Sequence, residues 1–278
     1  MKQPKLILVL TDGLRPEAIT PSVMPTLHAL TESYTSAAEA RTIRPSVTVA
    51  ALASLATGVA PETHRLVLPG LEFLPRLTRL RPVARELARH DIPADVVTTE
   101  LPLGVLPLAW ALTQAAGARR LLPVGRRPLD TALAANRVLN ENDTGLLFVY
   151  LPACDEAGHA HGWMSPAYFR AASELDAALT TLATRVGEAL LLVVSDHGGG
   201  GVIRTEHHHP HPTNERIPFV LAGPGVAREH RLLGPVSLLD VSATVLWWFG
   251  VPVPTCYDGR PLLEAFAPAL SPMAVAAW

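Results

Sequence analysis

Sulfur, charge of a single sign and long apolar runs are all scarce in this 278-residue chain, and each scarcity closes off a class of protein. Two cysteines, Cys154 and Cys256, cannot build a disulfide framework, so the sequence suggests a reducing, cytoplasmic setting. A formal net charge of -2, with basic and acidic residues interspersed, lacks the basic face of a protein that binds a nucleic-acid polymer. Any nucleotide it handles would be a small molecule. No window reaches the roughly 20 apolar residues of a membrane helix. The apolar stretch near the N-terminus is about half the length of a signal-peptide core with its flanks, and it runs straight into Asp12, so it reads as a first strand. Internal repeats, low-complexity tracts and interdomain linkers are also missing, which points to one domain over residues 1–278.

What is abundant is apolar residue, 49% of the chain, ample for a packed core. The short runs Leu6–Leu10, Ala94–Val97, Leu146–Leu151, Leu190–Val194 and Pro218–Ala222 alternate with stretches of helical periodicity. That order predicts an α/β fold, a three-layer α/β/α sandwich on a mostly parallel central sheet. Its clearest helix covers Pro166–Val186, with Ser165 as cap and Phe169, Ala172, Leu175, Leu179, Leu182 and Val186 in one stripe. Segment Pro61–Arg127, rich in Pro, Leu and Arg, reads as a peripheral excursion that could shape a substrate pocket.

Residues just past the C-terminal ends of parallel strands converge at one edge of a sheet. Asp12 follows the first run, Asp155 and His159 the third, and Asp196 and His197 the fourth. These are cation ligands, and a site of Asp and His without sulfur fits a catalytic centre better than a structural cysteine site. Asp155 and His159, four apart, can meet one cation on a single turn, and the glycines Gly198–Gly201 are expected to leave room for a ligand. The tract His207, His208, His209 and His211 oversupplies a site, so one of the four is expected to serve. Two divalent ions about 4 Å apart, zinc or alternatively manganese, fit such a set. Thr48 precedes a helix-forming stretch, Val49–Thr57, that Gly58 can stop. At a helix N-terminus its hydroxyl would meet unpaired N–H groups, a setting for a nucleophile or an anion, with plain capping as the simpler reading and Thr42 and Ser46 as rivals.

Together the motifs resemble those of the alkaline phosphatase superfamily, and most closely its nucleotide pyrophosphatase/phosphodiesterase branch. They are Val9-Leu-Thr-Asp-Gly-Leu-Arg15, Pro45-Ser-Val-Thr48 with Ser54-Leu-Ala-Thr-Gly58 and Pro61-Glu-Thr-His64, then Tyr150-Leu-Pro-Ala-Cys-Asp155 with His159 and Gly162. Val194-Ser-Asp-His-Gly198, Ile217-Pro-Phe219, Gly223-Pro-Gly-Val226 and Leu239-Asp-Val-Ser-Ala-Thr244 with Gly250-Val-Pro252 follow in order. The resemblance implies a two-metal phosphoric-ester hydrolase, with Asp12, Thr48, Asp196 and His197 on one metal and Asp155, His159 and a later histidine on the other. His211 matches the superfamily's His-x-Thr-Asn pattern, while His209 stays open as metal or substrate contact. The implied route passes through a phosphothreonine on Thr48, on a small-molecule phosphate ester. Diesterases of the branch carry Pro-Asn-His after the nucleophile and an asparagine some twenty residues on; here stand Ala50-Ala-Leu52 and Leu68-Pro-Gly70, so charge stabilisation would fall to the metals and the N–H groups at Thr48 and Val49, with Arg15 or Arg44 as candidate phosphate contacts. Phosphomonoester, phosphonate and sulfate hydrolysis, a phosphomutase and a non-catalytic binding descendant are the competing readings.

Overall fold

The computed structural model describes residues 5–67, 74–141 and 143–267. Its strands are β1 (Leu6–Thr11), β2 (Thr35–Ala37), β3 (Ala40–Arg41), β4 (Ala94–Thr98), β5 (Arg120–Pro123), β6 (Leu146–Leu151), β7 (Leu190–Val194), β8 (Arg216–Ile217), β9 (Phe219–Ala222), β10 (His230–Leu232) and β11 (Val236–Ser237). The helices are α1 (Pro25–Ser33), α2 (Thr48–Thr57), α3 (Pro61–His64), α4 (Leu74–Arg79), α5 (Val83–Ala88), α6 (Leu106–Ala116), α7 (Pro128–Asn140), α8 (Ala153–His161), α9 (Pro166–Ala183), α10 (Pro212–Glu215) and α11 (Asp240–Trp248).

Eight strands form the main sheet in the order β10-β2-β9-β7-β1-β6-β4-β5. The unbroken apolar sequence of β1 suits its place between β6 and β7, parallel to both, where every residue is buried. Alternate side chains serve opposite layers. Leu6, Leu8 and Leu10 join a core with α2, α5 and α11, whereas Ile7 and Val9 join a second core with α1, α7 and α9. Each such fully buried aliphatic side chain contributes about 1.5–3 kcal/mol.

Strand β9 runs against its neighbours β7 and β2, although its apolar run resembled the parallel strands in sequence. The reason lies in the connection. Residues 195–218 hold no helix long enough to return the chain to the opposite edge, so the next strand starts where β7 ended and runs back. It begins at Phe219, one residue late, because Pro218 has no N–H to give a ladder. The same connection keeps residues 196–217 at the C-terminal edge of the sheet, where they cross the site.

Helix α9 ends at Ala183, three residues before the expected Val186, and Ser165 caps it by accepting from Tyr168 N–H at 3.2 Å. The segment read as an excursion is partly integral: β4 and β5 within it are parallel strands of the main sheet. Helices α4 and α6 pack through Leu77, Leu112, Ala115 and Ala116 onto Ala53 of α2 and Leu66. The contrast drawn from Leu68-Pro-Gly70 lies outside the described residues.

Candidate active site at the strand ends

Asp12 leaves β1, Asp155 lies in the first turn of the helix that follows β6, and Asp196 and His197 leave β7. Parallel pairing in register brings the three ends together. The Nε2 of His197 lies 3.3 Å from Asp12 Oδ1, 3.5 Å from Asp196 Oδ2 and 3.9 Å from Asp155 Oδ1. Those same three carboxylate oxygens are buried and, among the described residues, have no hydrogen-bond partner. An unpartnered buried acceptor costs about 1–3 kcal/mol, a cost that a cation held among the three would offset.

The imidazoles are oriented to match. His197 Nδ1 lies 2.8 Å from Gly198 O, His159 Nδ1 2.9 Å from Thr205 O, and His207 Nδ1 2.6 Å from Ser46 O. A carbonyl only accepts, so each Nδ1 carries a proton and each Nε2 is the ring nitrogen turned to the carboxylates. Helix α8 sets His159 one turn from Asp155, with Nε2 3.4 Å from Oδ1, and His207 Nε2 lies 3.8 Å from that same oxygen. Two groups of ligand atoms result, Asp12 with Asp155 and His197, and Asp155 with His159 and His207, each within 4.8 Å of one another. Burial and the neighbouring carboxylates push Asp196 up to about 7 and Asp155 up to about 6, with Asp12 raised as well. Burial and the adjacent imidazole of His197 lower His207 to about 3. Carboxyl groups crowded together in a buried site, with imidazole Nε2 atoms turned to them, form the donor set of a divalent cation.

Thr48 opens α2, but capping does not occupy it. The N-cap is Val47, in extended conformation and without a side-chain cap, and the first intrahelical bond runs from Ala51 N–H to Val47 O. The Thr48 hydroxyl lies 3.2 Å from His197 Nε2, beside the carboxylate cluster, with the leading N–H groups of the helix next to it. Its rivals have other work. Thr42 donates to the carbonyl of Asp196, and Ser46 donates to that of His207 at 2.6 Å, so both fasten the segment before Thr48 to the loops of Asp196 and His207.

Several expectations change. His211 does not join the cluster. Its Nδ1 accepts the Thr213 N–H at 3.2 Å as N-cap of α10, the opposite ring polarity to the other three histidines. His209 is half exposed, with Nε2 3.9 Å from Glu206. Arg44 pairs with Glu215 at 2.7 Å, its side chain 67% exposed, and Arg15 pairs with Glu17 at 3.1 Å and reaches Gly199 O at 3.3 Å. Each guanidinium is thus already engaged by a carboxylate of the chain. The glycine run leaves no ligand cavity either: a Cβ at Gly198 would strike the Thr213 carbonyl, at Gly199 or Gly200 the side chain of Trp163, and at Gly201 the ring of His211. Tyr150, which sequence reasoning missed, donates to Asp12 Oδ2 and leaves Oδ1 as the unpartnered oxygen. Its position, paired with Leu10 on the neighbouring strand two residues before Asp12, was the available signal.

The sequence pattern of the type I phosphodiesterase / nucleotide pyrophosphatase family matches residues 6–70 and 94–231. No curated protein matches the chain by sequence. Solved structures share its fold at low identity. Murine ectonucleotide pyrophosphatase / phosphodiesterase 5, an inactive variant in complex with AMP, is 14% identical with a TM-score of 0.74, over 95% of this chain and 100% of that one. A phosphonate monoester hydrolase from Silicibacter pomeroyi is 16% identical with a TM-score of 0.72, over 96% and 78%. A 2-O glycosaminoglycan sulfatase is 13% identical with a TM-score of 0.76, over 97% and 76%.

Proposed function

The chain belongs to the type I phosphodiesterase / nucleotide pyrophosphatase family, and from that premise we propose that it is a two-metal hydrolase of phosphoric esters, of phosphodiesterase or pyrophosphatase type, with Thr48 as nucleophile. The observation that carries this reading is the convergence of three unpartnered buried carboxylate oxygens on the Nε2 of His197, with the Thr48 hydroxyl 3.2 Å from that nitrogen. Asp12, Asp196 and His197 with Thr48 would hold one cation, and Asp155, His159 and His207 the other. Zinc suits the mixed imidazole and carboxylate donors, with manganese as the alternative. When bound, the cations supply Lewis-acid neutralisation of the developing oxyanion charge.

The residues of the chain do the rest. Thr48 Oγ attacks phosphorus, the bond to the leaving oxygen breaks, and a phosphothreonine forms; water then opens that ester and returns the hydroxyl. Two displacements predict retention at phosphorus. The free N–H groups that open α2 face the non-bridging oxygens of a phosphoryl group on Thr48 and stabilise their charge. Thr42 and Ser46 hold the nucleophile segment against the loops of Asp196 and His207, so the attacking oxygen is positioned before substrate arrives.

The fold relationship to an AMP-binding nucleotide pyrophosphatase homologue supports a small phosphate ester as substrate, whereas the relationships to a phosphonate hydrolase and a sulfatase make the ester class the quantity to measure. Turnover of para-nitrophenyl phosphodiester, phosphomonoester, phosphonate and sulfate, with and without chelator, decides among them. The diester should lead and chelator should abolish turnover. Thr48→Ala should reduce the rate on the order of 10³-fold or more while still binding zinc. Near-normal turnover by that variant would remove Thr48 from the reaction.

A further inference from the structure

Trp163 touches every limb of the site while ligating nothing. Its indole Nε1–H donates to Gly13 O at 2.9 Å, one residue beyond Asp12. The backbone N–H donates to Arg204 O at 3.0 Å, within the loop that leads to His207. The ring meets the imidazoles of His159 and His207 edge-on, with centroids 5.1 and 5.7 Å away. Only 2% of the residue is exposed.

The surrounding sequence is cleared for this one side chain. A Cβ at Gly158 of α8 would stand 2.6 Å from the indole carbons, one at Gly200 would stand 2.7 Å from the tryptophan Cβ, and one at Gly199 would overlap the ring. The helix of Asp155 and His159, the loop after Asp196 and His197, the His207 loop and the turn after Asp12 therefore close on a single indole. A tryptophan that merely fills a core lies among aliphatic side chains. Trp163 also joins the core of α1, α7 and α9, but its ring is met in addition by the backbone of three glycines and by two imidazoles, and a hydrogen bond fixes its rotation.

We propose that Trp163 is a positioning residue for the cation pair, setting the spacing between the His159 and His207 imidazoles and the Asp12 turn and thereby the affinity for metal. The inference rests on Asp155, His159 and His207 being cation ligands. It also accounts for the glycines at 158, 199 and 200, which serve the indole.

The test measures zinc affinity of the full chain by competition with a chromophoric chelator, and the visible spectrum of the cobalt(II)-loaded protein, for wild type, Trp163→Phe and Gly199→Ala. Far-UV circular dichroism confirms that each is folded. Trp163→Phe keeps an aromatic ring but loses the bond to Gly13 O. Gly199→Ala keeps the indole but displaces it. Each should weaken zinc binding at least tenfold and alter the cobalt spectrum, and Gly199→Ala should matter less in a Trp163→Leu background, where the ring it displaces is gone. If one variant does not fold, the other decides. Folded variants that bind zinc within twofold of wild type, with an unchanged cobalt spectrum, overturn the role of Trp163. A wild-type chain that binds no zinc or cobalt would instead overturn the cation reading itself.

Discussion

His207 and His211 lie four residues apart in one tract and differ in which ring nitrogen is left bare. His207 gives its Nδ1 proton to a carbonyl and turns Nε2 to Asp155, 3.8 Å away, while His211 uses Nδ1 as an acceptor to cap α10. Their replacements should therefore fail in different ways. His207→Ala should lose about one zinc equivalent and most turnover. His211→Ala should keep its zinc and lose stability of about 1 kcal/mol, the usual worth of an N-cap. Metal content after dialysis, read beside a urea unfolding midpoint, separates the two, and a His211 variant depleted of zinc would contradict the assignment. The tract in sequence shows four equivalent imidazoles. Only the carbonyl of Ser46, brought in by another segment, turns the Nε2 of His207 toward the carboxylates.

Among the elements, α2 carries the most consequence in the fewest residues. Its start presents Thr48, and its end is fixed by Gly58, which adopts a left-handed conformation at φ 67° and sends its N–H to Ser54 O at 2.8 Å. The ring of Tyr257 lies where a Cβ would go. Gly58→Ala combines left-handed strain of about 1 kcal/mol with that collision, so it should destabilise the protein by about 2 kcal/mol or more. The urea midpoint of the folded variant measures it, and a loss within about 0.5 kcal/mol would show that Tyr257 moves aside without cost. This helix was legible in sequence almost to the residue, as were β1, β6 and β7, because an unbroken apolar run or a capped alanine-rich stretch specifies itself locally. Strands β2, β3, β8, β10 and β11 were not legible. They are two or three residues long and exist only because partners far along the chain supply their hydrogen bonds. The three aspartates and His197 were readable from their place after a strand. The purpose of the glycines was not, since Trp163 reaches them from another element.

At the scale of the whole molecule, function and acid resistance occupy opposite ends of the sheet. At the end away from Thr48, Asp95 is buried between Arg119, Arg120 and Thr144. Burial alone would raise its pKa, but hydrogen bonds from Arg120, Arg119 and Thr144 prevail and hold the carboxyl down at about 2. The folded value lies below the unfolded one of about 3.9, so the stabilisation is complete above that pH and is lost as pH falls through about 2. The difference corresponds to a stabilisation on the order of 2 kcal/mol. Asp95→Asn should thus be less stable than wild type at pH 6, with the gap narrowing toward pH 2, while turnover by the folded variant at neutral pH stays unchanged. A gap independent of pH would mean that the charge of Asp95 contributes nothing.

Strand β1 is the first segment of the fold in chain order, yet both of its neighbours come late, β6 from residue 146 and β7 from residue 190. During synthesis on the ribosome, Asp12 can meet Tyr150 once β6 is made, but it cannot meet His197 until that residue has been translated and released. A ribosome-bound chain stopped before Leu190 cannot assemble the centre at all.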